Sequence, residues 1–128
     1  MNIERWRSSS PGRSHTVAWG GLVWTVSNAR DSAGDLAAQV GETLALLEQF
    51  LHAAGSGKAR MLSVQVLLAS IDDRAAFDRL WCEWIGDDPA HWPQRAVYGA
   101  ALAPGLRVEL LVTAARTDRA AADTESLT

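Results

Sequence analysis

The stretch Pro93-Gln94-Arg95-Ala96-Val97-Tyr98-Gly99-Ala100-Ala101-Leu102-Ala103-Pro104-Gly105-Leu106-Arg107-Val108-Glu109-Leu110-Leu111-Val112-Thr113-Ala114 reads as two short β runs joined by a Pro104-Gly105 turn, a hairpin by pattern. Arg95 opens the first run and Glu109 interrupts the second, each among neighbours that are nearly all apolar. Burying either charge costs several kcal/mol unless something pairs with it. A guanidinium at the mouth of an apolar pocket is suited to gripping a small carboxylate through parallel hydrogen bonds. A carboxylate beside it can hold a water or accept a proton.

Working outward, Thr16–Trp19 and Leu22–Val26 flank Gly20-Gly21 and form a second hairpin pattern. Asp35–Ala54 is the clearest helix, because Leu36, Val40, Leu44, Leu47 and Leu51 recur at spacings of three and four. Gly55 supplies its left-handed cap. Met61–Leu68 is a strand in which Leu62, Val64, Val66 and Leu68 make one apolar face. A second helix starts from a cap at Ser70 or Asp72 and runs to Ile85, with Phe77, Leu80, Trp81 and Trp84 as its stripe. Cys82 beside Trp81 reads as a buried small hydrophobe, and Asp78 as a surface residue.

The order is β-β-α-β-α-β-β. Two helices with one apolar stripe each cover only one face of a sheet, so a two-layer α+β domain is expected. Trp19, Trp24, Tyr98 and Leu67 are then available on the other face, which favours an oligomer. Residues 1–14 are expected to be an N-terminal arm, 15–115 the single domain, and 116–128 a flexible tail.

Composition excludes several classes. The 128 residues suffice for one domain, and 48% hydrophobic with 21% charged content fits an ordinary globular protein. A net charge of −3 and a pI near 5.5 argue against non-specific nucleic-acid binding. No apolar run reaches the length of a membrane span, and the N-terminus has no signal-like apolar core, so a cytoplasmic protein is expected. His15, His52 and His91 share no metal-ligand spacing and no Cys-x-x-Cys occurs, so no zinc site is expected.

Several segments, in order, carry a family resemblance: P-G-R-S-H-T-V-A-W-G-G-L-V-W (11–24), L-H-A-A-G-S (51–56), V-Q-V-L-L (64–68), F-D-R-L-W-C-E-W (77–84), P-Q-R (93–95) and P-G-L-R-V-E-L (104–110). From about Pro11 to Ala114 the chain resembles the Rid (reactive intermediate deaminase) or YjgF family, and its short YoaB-type members more than the typical 2-aminoacrylate deaminases. The resemblance implies a chorismate-mutase-like fold and a homotrimer with a central sheet barrel and ligand clefts between subunits. It also implies hydrolysis of reactive enamines and imines to keto acids and ammonia, without a cofactor.

Carried over by position, Arg95 matches the substrate-carboxylate arginine and Glu109 the glutamate near the reactive centre. Arg13 stands in place of a tyrosine, Val26-Ser27 in place of a Ser-Gly pair, Asp78 in place of an asparagine, and Val97 in place of a small residue. Glu109 is therefore the candidate catalytic residue, and Arg95, Arg13, Val26, Ser27 and Val97 are the candidate substrate contacts. Arg95 and Glu109 also fit an ion pair with a neighbouring subunit, and Arg13 a solvated loop arginine. Two functions follow: an enamine/imine deaminase, or a non-catalytic trimer that binds a small carboxylate metabolite as sensor or pathway accessory. The ribonuclease activity attributed to some relatives is not expected, since the pI is acidic and no histidine pair for in-line phosphate cleavage is evident. No nucleic-acid or membrane partner is expected.

Overall fold

A computed structural model describes residues 2–117. The strands are β1 (Glu4–Arg7), β2 (Ser14–Trp19), β3 (Leu22–Asn28), β4 (Met61–Leu68), β5 (Gln94–Gly99) and β6 (Val108–Ala115). Helix α1 (Leu36–Ala53) follows β3 and helix α2 (Arg74–Ile85) follows β4. All strands join one six-stranded sheet of order β1-β2-β3-β6-β4-β5. Both helices pack on one face, so the two-layer α+β architecture is as the sequence pattern implies.

Strict alternation in β6 separates the faces. Val108, Leu110, Val112 and Ala114 are buried toward the helices, while Glu109, Leu111, Thr113 and Ala115 are half-buried on the other side. Val64, Val66 and Leu68 of β4 join the same core, with Val40, Leu44, Leu47 and Leu51 from α1 and Phe77, Trp81 and Ile85 from α2. Asp35 caps α1 by accepting from the Ala38 N–H at 2.8 Å, and Gly55 follows its end at φ 80°.

Four expectations change. The Pro93–Ala114 stretch is no hairpin: β4 lies between β5 and β6, parallel to the first and antiparallel to the second. The parallel β4-α2-β5 crossover places β5 at the sheet edge, and β6 is central, hydrogen-bonding on both sides to β3 and β4. Leu62 leaves the core face because the register slips between Met61 and Ser63, so Met61 is buried and Leu62 is half exposed. Cys82 is exposed, since Phe77, Trp81 and Ile85 form the buried stripe of α2 and Cys82 is turned about 100° from Trp81.

The fourth change concerns the termini. Residues 4–7, expected in a mobile arm, form β1 against β2, with Trp6 packed on the core. Arg116, expected in the tail, is only 5% exposed. Its Nη2 donates to Glu4 at 3.0 Å and its Nε to the Ala54 carbonyl at 3.0 Å, tying β1 to the end of α1. The rest of the expected tail, 118–128, lies outside the described residues.

A buried glutamine joins the loops at one end of the sheet. Gln39 of α1 is 1% exposed, and its Nε2 donates to the carbonyls of Gly34 at 3.0 Å and Gly105 at 2.9 Å. Its Oε1 accepts from the Arg107 N–H at 2.9 Å. The Pro104-Gly105 turn comes so close that a Cβ on Gly105 (φ 84°) would stand 2.9 Å from the Ser32 carbonyl oxygen. Among the described residues no helix is long and apolar enough to cross a membrane.

Candidate functional site

Arg95 lies opposite Val64 in the β4–β5 ladder and therefore on the helix side of the sheet, as does Val97 opposite Val66. Its guanidinium carbon sits 5.6 Å from the centre of the Phe77 ring and 5.4 Å from that of Trp81. These rings strip water from the cation and attract it through their faces. Nη2 donates to the Asp78 carboxylate, whereas Nη1 is buried with no acceptor among the described residues. The side chain is 20% exposed at an edge strand, so the cation is half satisfied. An unpaired buried N–H costs about 1–3 kcal/mol, which an arriving oxyanion would recover. Val97, two residues on, packs against the core. Asp78 is thus the main partner of the arginine, not an idle surface residue.

Glu109 is on the opposite face. Asn28 at the end of β3 donates through Nδ2 to its Oε1 at 2.8 Å. The ladders align Asn28, Glu109, Leu67 and Tyr98 in one row across the open face. The next row holds Val26, Leu111, Gln65 and Ala96. Val26 is exposed there, but Ser27 points the other way and is 1% exposed, its Oγ donating to the Thr43 carbonyl at 2.7 Å. Its side chain ties β3 to α1 and takes no part in an open-face site.

Arg13 is remote from both. It ends the turn after β1 and, with Arg5 and Arg7, lines a cavity of about 680 Å³. Strands β1 and β5 are opposite edges of the sheet, roughly 24 Å apart at five strand spacings. One chain by itself therefore brings none of Arg95, Glu109 and Arg13 together.

The middle of the open face is a shallow cavity of about 320 Å³ with Val17, Trp24, Val26, Gln65 and Thr113 in its lining. Trp19, Trp24, Val26 and Tyr98 on this face are 51%, 41%, 39% and 52% exposed, so four large apolar side chains are left uncovered on one face. His15 lies at the rim, stacked on Phe50 of α1 at 3.9 Å and 2.7 Å from the Thr16 hydroxyl through Nδ1. Burial first, and then the positive charge of Arg30, lower its pKa below the usual histidine value. Among the described residues no three of His, Cys, Asp and Glu are grouped to hold a metal ion.

Residues 14–116 match the model of the family described as endoribonuclease L-PSP. The chain belongs to this family, the YjgF/Rid proteins. A RutC family protein of Haemophilus ducreyi is 34% identical over 104 residues, which is 80% of this chain and 87% of that protein. The RutC family protein YoaB of Escherichia coli is 33% identical over 78 residues, 60% of this chain and 67% of that one. A crystal structure of a YjgF family member from Neisseria meningitidis superposes with a TM-score of 0.82 at 30% identity, covering 92% of this chain and 98% of that one. An uncharacterised Pseudomonas aeruginosa protein gives the same TM-score, 0.82, at 32% identity over 91% of this chain and all of that one. The YjgF/Rid segment begins at β2 and ends at Arg116, so β1 lies outside the matched region.

Asn28 and Gln39 do not stand out in the sequence as site or fold residues. Asn28 carried a readable signal: it follows the alternation of β3 onto the face of Trp24 and Val26. Gln39 carried none, because a polar residue one place from an apolar stripe is ordinary in a helix.

Proposed function

We propose that the protein hydrolyses small reactive enamine or imine carboxylates to keto acids and ammonia, in clefts formed between copies of the chain. The observation that supports this most is Arg95: a desolvated guanidinium at a sheet edge, with one buried donor, Nη1, left without an acceptor. A substrate carboxylate takes that donor and orients the adjacent imine carbon. Water adds to the C=N bond, giving a carbinolamine. In forming it, Glu109 takes the water's proton and gives it to nitrogen; Glu109 then takes the carbinolamine hydroxyl proton and gives it to the amino group as the C–N bond breaks, so that ammonia and the keto acid leave.

Glu109 and Arg95 are on opposite faces of one sheet, so the reaction needs the Glu109 of a second copy across from Arg95. The exposed apolar face of Trp19, Trp24 and Val26 is the surface through which copies would assemble into the expected homotrimer. Val97 would border the Arg95 side of the cleft and Val26 the Glu109 side.

The pairing of Arg95 with Asp78 favours one second reading: a carboxylate-binding assembly with no catalytic step. Ammonia release from an enzymatically generated imine, followed for wild type and Arg95→Ala, separates the two. The proposal expects acceleration by wild type and its loss in the variant. No acceleration with several imines, alongside binding of a stable keto acid, would leave only the binder.

A further inference from the structure

We propose that Arg5, Arg7 and Arg13 form a binding site for a small, doubly charged oxyanion such as a phosphate group. Arg5 and Arg7 are two residues apart on edge strand β1 and are the two exposed positions of its alternating pattern, so they share a face with a rise of about 6.6 Å between them. The turn from Ser8 to Arg13 folds back on the strand, held by the Ser8 N–H donating to the Arg13 carbonyl at 3.3 Å and the Ser10 N–H to the Ser8 Oγ at 3.1 Å. This brings Arg13 to the lining of the same cavity of about 680 Å³, within the size range of metabolite pockets.

Among the described residues no aspartate or glutamate lines the cavity, so its charge is uncompensated by them. From Arg5 through Arg30 the sequence has none at all, although the chain carries 15 acidic residues and a net charge of −3. Arg74, Arg95 and Arg116 each pair with a carboxylate, whereas Arg5, Arg7 and Arg13 have no such partner among the described residues. Like charges gathered around one concavity repel, and a multivalent oxyanion removes that repulsion while accepting from several forks. An extended polyanion fits less well, because beyond the patch it would meet an acidic protein.

Within one chain the site lies at the β1 edge and Arg95 at the opposite, β5 edge, so Arg95 takes no part in it. Calorimetric titration of the full chain with inorganic phosphate at low salt tests it, with acetate as a singly charged control and a short single-stranded RNA as a polyanion. Wild type is expected to bind phosphate more tightly than acetate, and less tightly as salt rises. The triple variant Arg5→Gln/Arg7→Gln/Arg13→Gln should weaken phosphate binding about tenfold or more, while Arg95→Ala leaves it unchanged. All three arginines are exposed, so the triple variant should fold; if it does not, Arg13→Glu alone should weaken binding about threefold or more. Equal phosphate binding by wild type and the folded variant, or equal binding of phosphate and acetate, would overturn the proposal. RNA bound more tightly than phosphate through these same arginines would overturn it in favour of a nucleic-acid surface.

Discussion

The Arg95 guanidinium donates through Nη2 to the Asp78 carboxylate of α2, and its other terminal nitrogen, Nη1, is buried without an acceptor among the described residues. The pair crosses the boundary between the edge strand and the helix, above the rings of Phe77 and Trp81. Asp78 therefore both orients the cation and competes with any carboxylate that approaches it.

Replacing Asp78 by asparagine keeps a hydrogen-bond acceptor of the same shape and removes the competing charge. Asp78→Asn should bind a stable 2-keto acid about three- to tenfold more tightly than wild type, and Arg95→Ala should not bind it measurably. Calorimetric titration of both variants reads this directly. Weaker binding by Asp78→Asn would mean that the aspartate positions the guanidinium more than it competes for it.

Trp24 occupies the centre of the open face, in the row Arg5, Val17, Trp24, Thr113, Ser63 and Gln94. A glutamate there would place charges at the middle of any contact between copies. Trp24→Glu should shift the protein from oligomer to monomer in light scattering, with the stability of the single chain changed by only about 0.5 kcal/mol. A wild-type protein that is already monomeric would remove the reason for assigning this face to self-assembly.

Gln39 satisfies the backbone of two separate loops from inside the core. Gln39→Leu would leave the Gly34 and Gly105 carbonyls and the Arg107 N–H without their partner, and should cost about 2–3 kcal/mol in urea denaturation. Because Arg107 leads directly into β6, the loss should also broaden the amide NMR signals around Glu109. A fully stable variant would show that water replaces the side chain without penalty.

His15 ties stability to pH. Its folded pKa lies below the unfolded value of 6.5, so below about pH 6.5 the unfolded chain binds the proton more readily than the folded one. The contribution is fully present above that pH, falls as the pH drops toward the folded pKa, and is lost once both states are protonated. The urea midpoint should drop less between pH 7 and pH 5 in His15→Gln than in wild type. An equal or larger drop in the variant would assign the acid sensitivity elsewhere.

Much of the fold was legible because it rests on short-range periodicity. The spacing of Leu36, Val40, Leu44, Leu47 and Leu51 marks α1, and the alternation in Val108–Ala115 marks β6 with its two faces. The exposure of Trp19, Trp24 and Tyr98 follows from the same alternation. The candidate site was legible only as residue types. Arg95 and Glu109 stood out as charges among apolar neighbours, but nothing local tells which face each joins once β5 and β6 are not neighbours.

The sequence by itself determined the elements from β2 onward, most of their apolar faces and the two anomalous charges, since each depends on residues only a few positions apart. Strand order is different in kind: it depends on which distant runs meet. Only the tertiary structure inserted β4 between β5 and β6, and so put Arg95 against α2 and Asp78, and Glu109 beside Asn28 on the open face. It also drew Glu4 and Arg116, from segments that read as loose ends, into one ion pair with Arg116 buried. A charge is unfavourable in an apolar run whatever the fold; which partner relieves it is decided by chain segments far away in sequence.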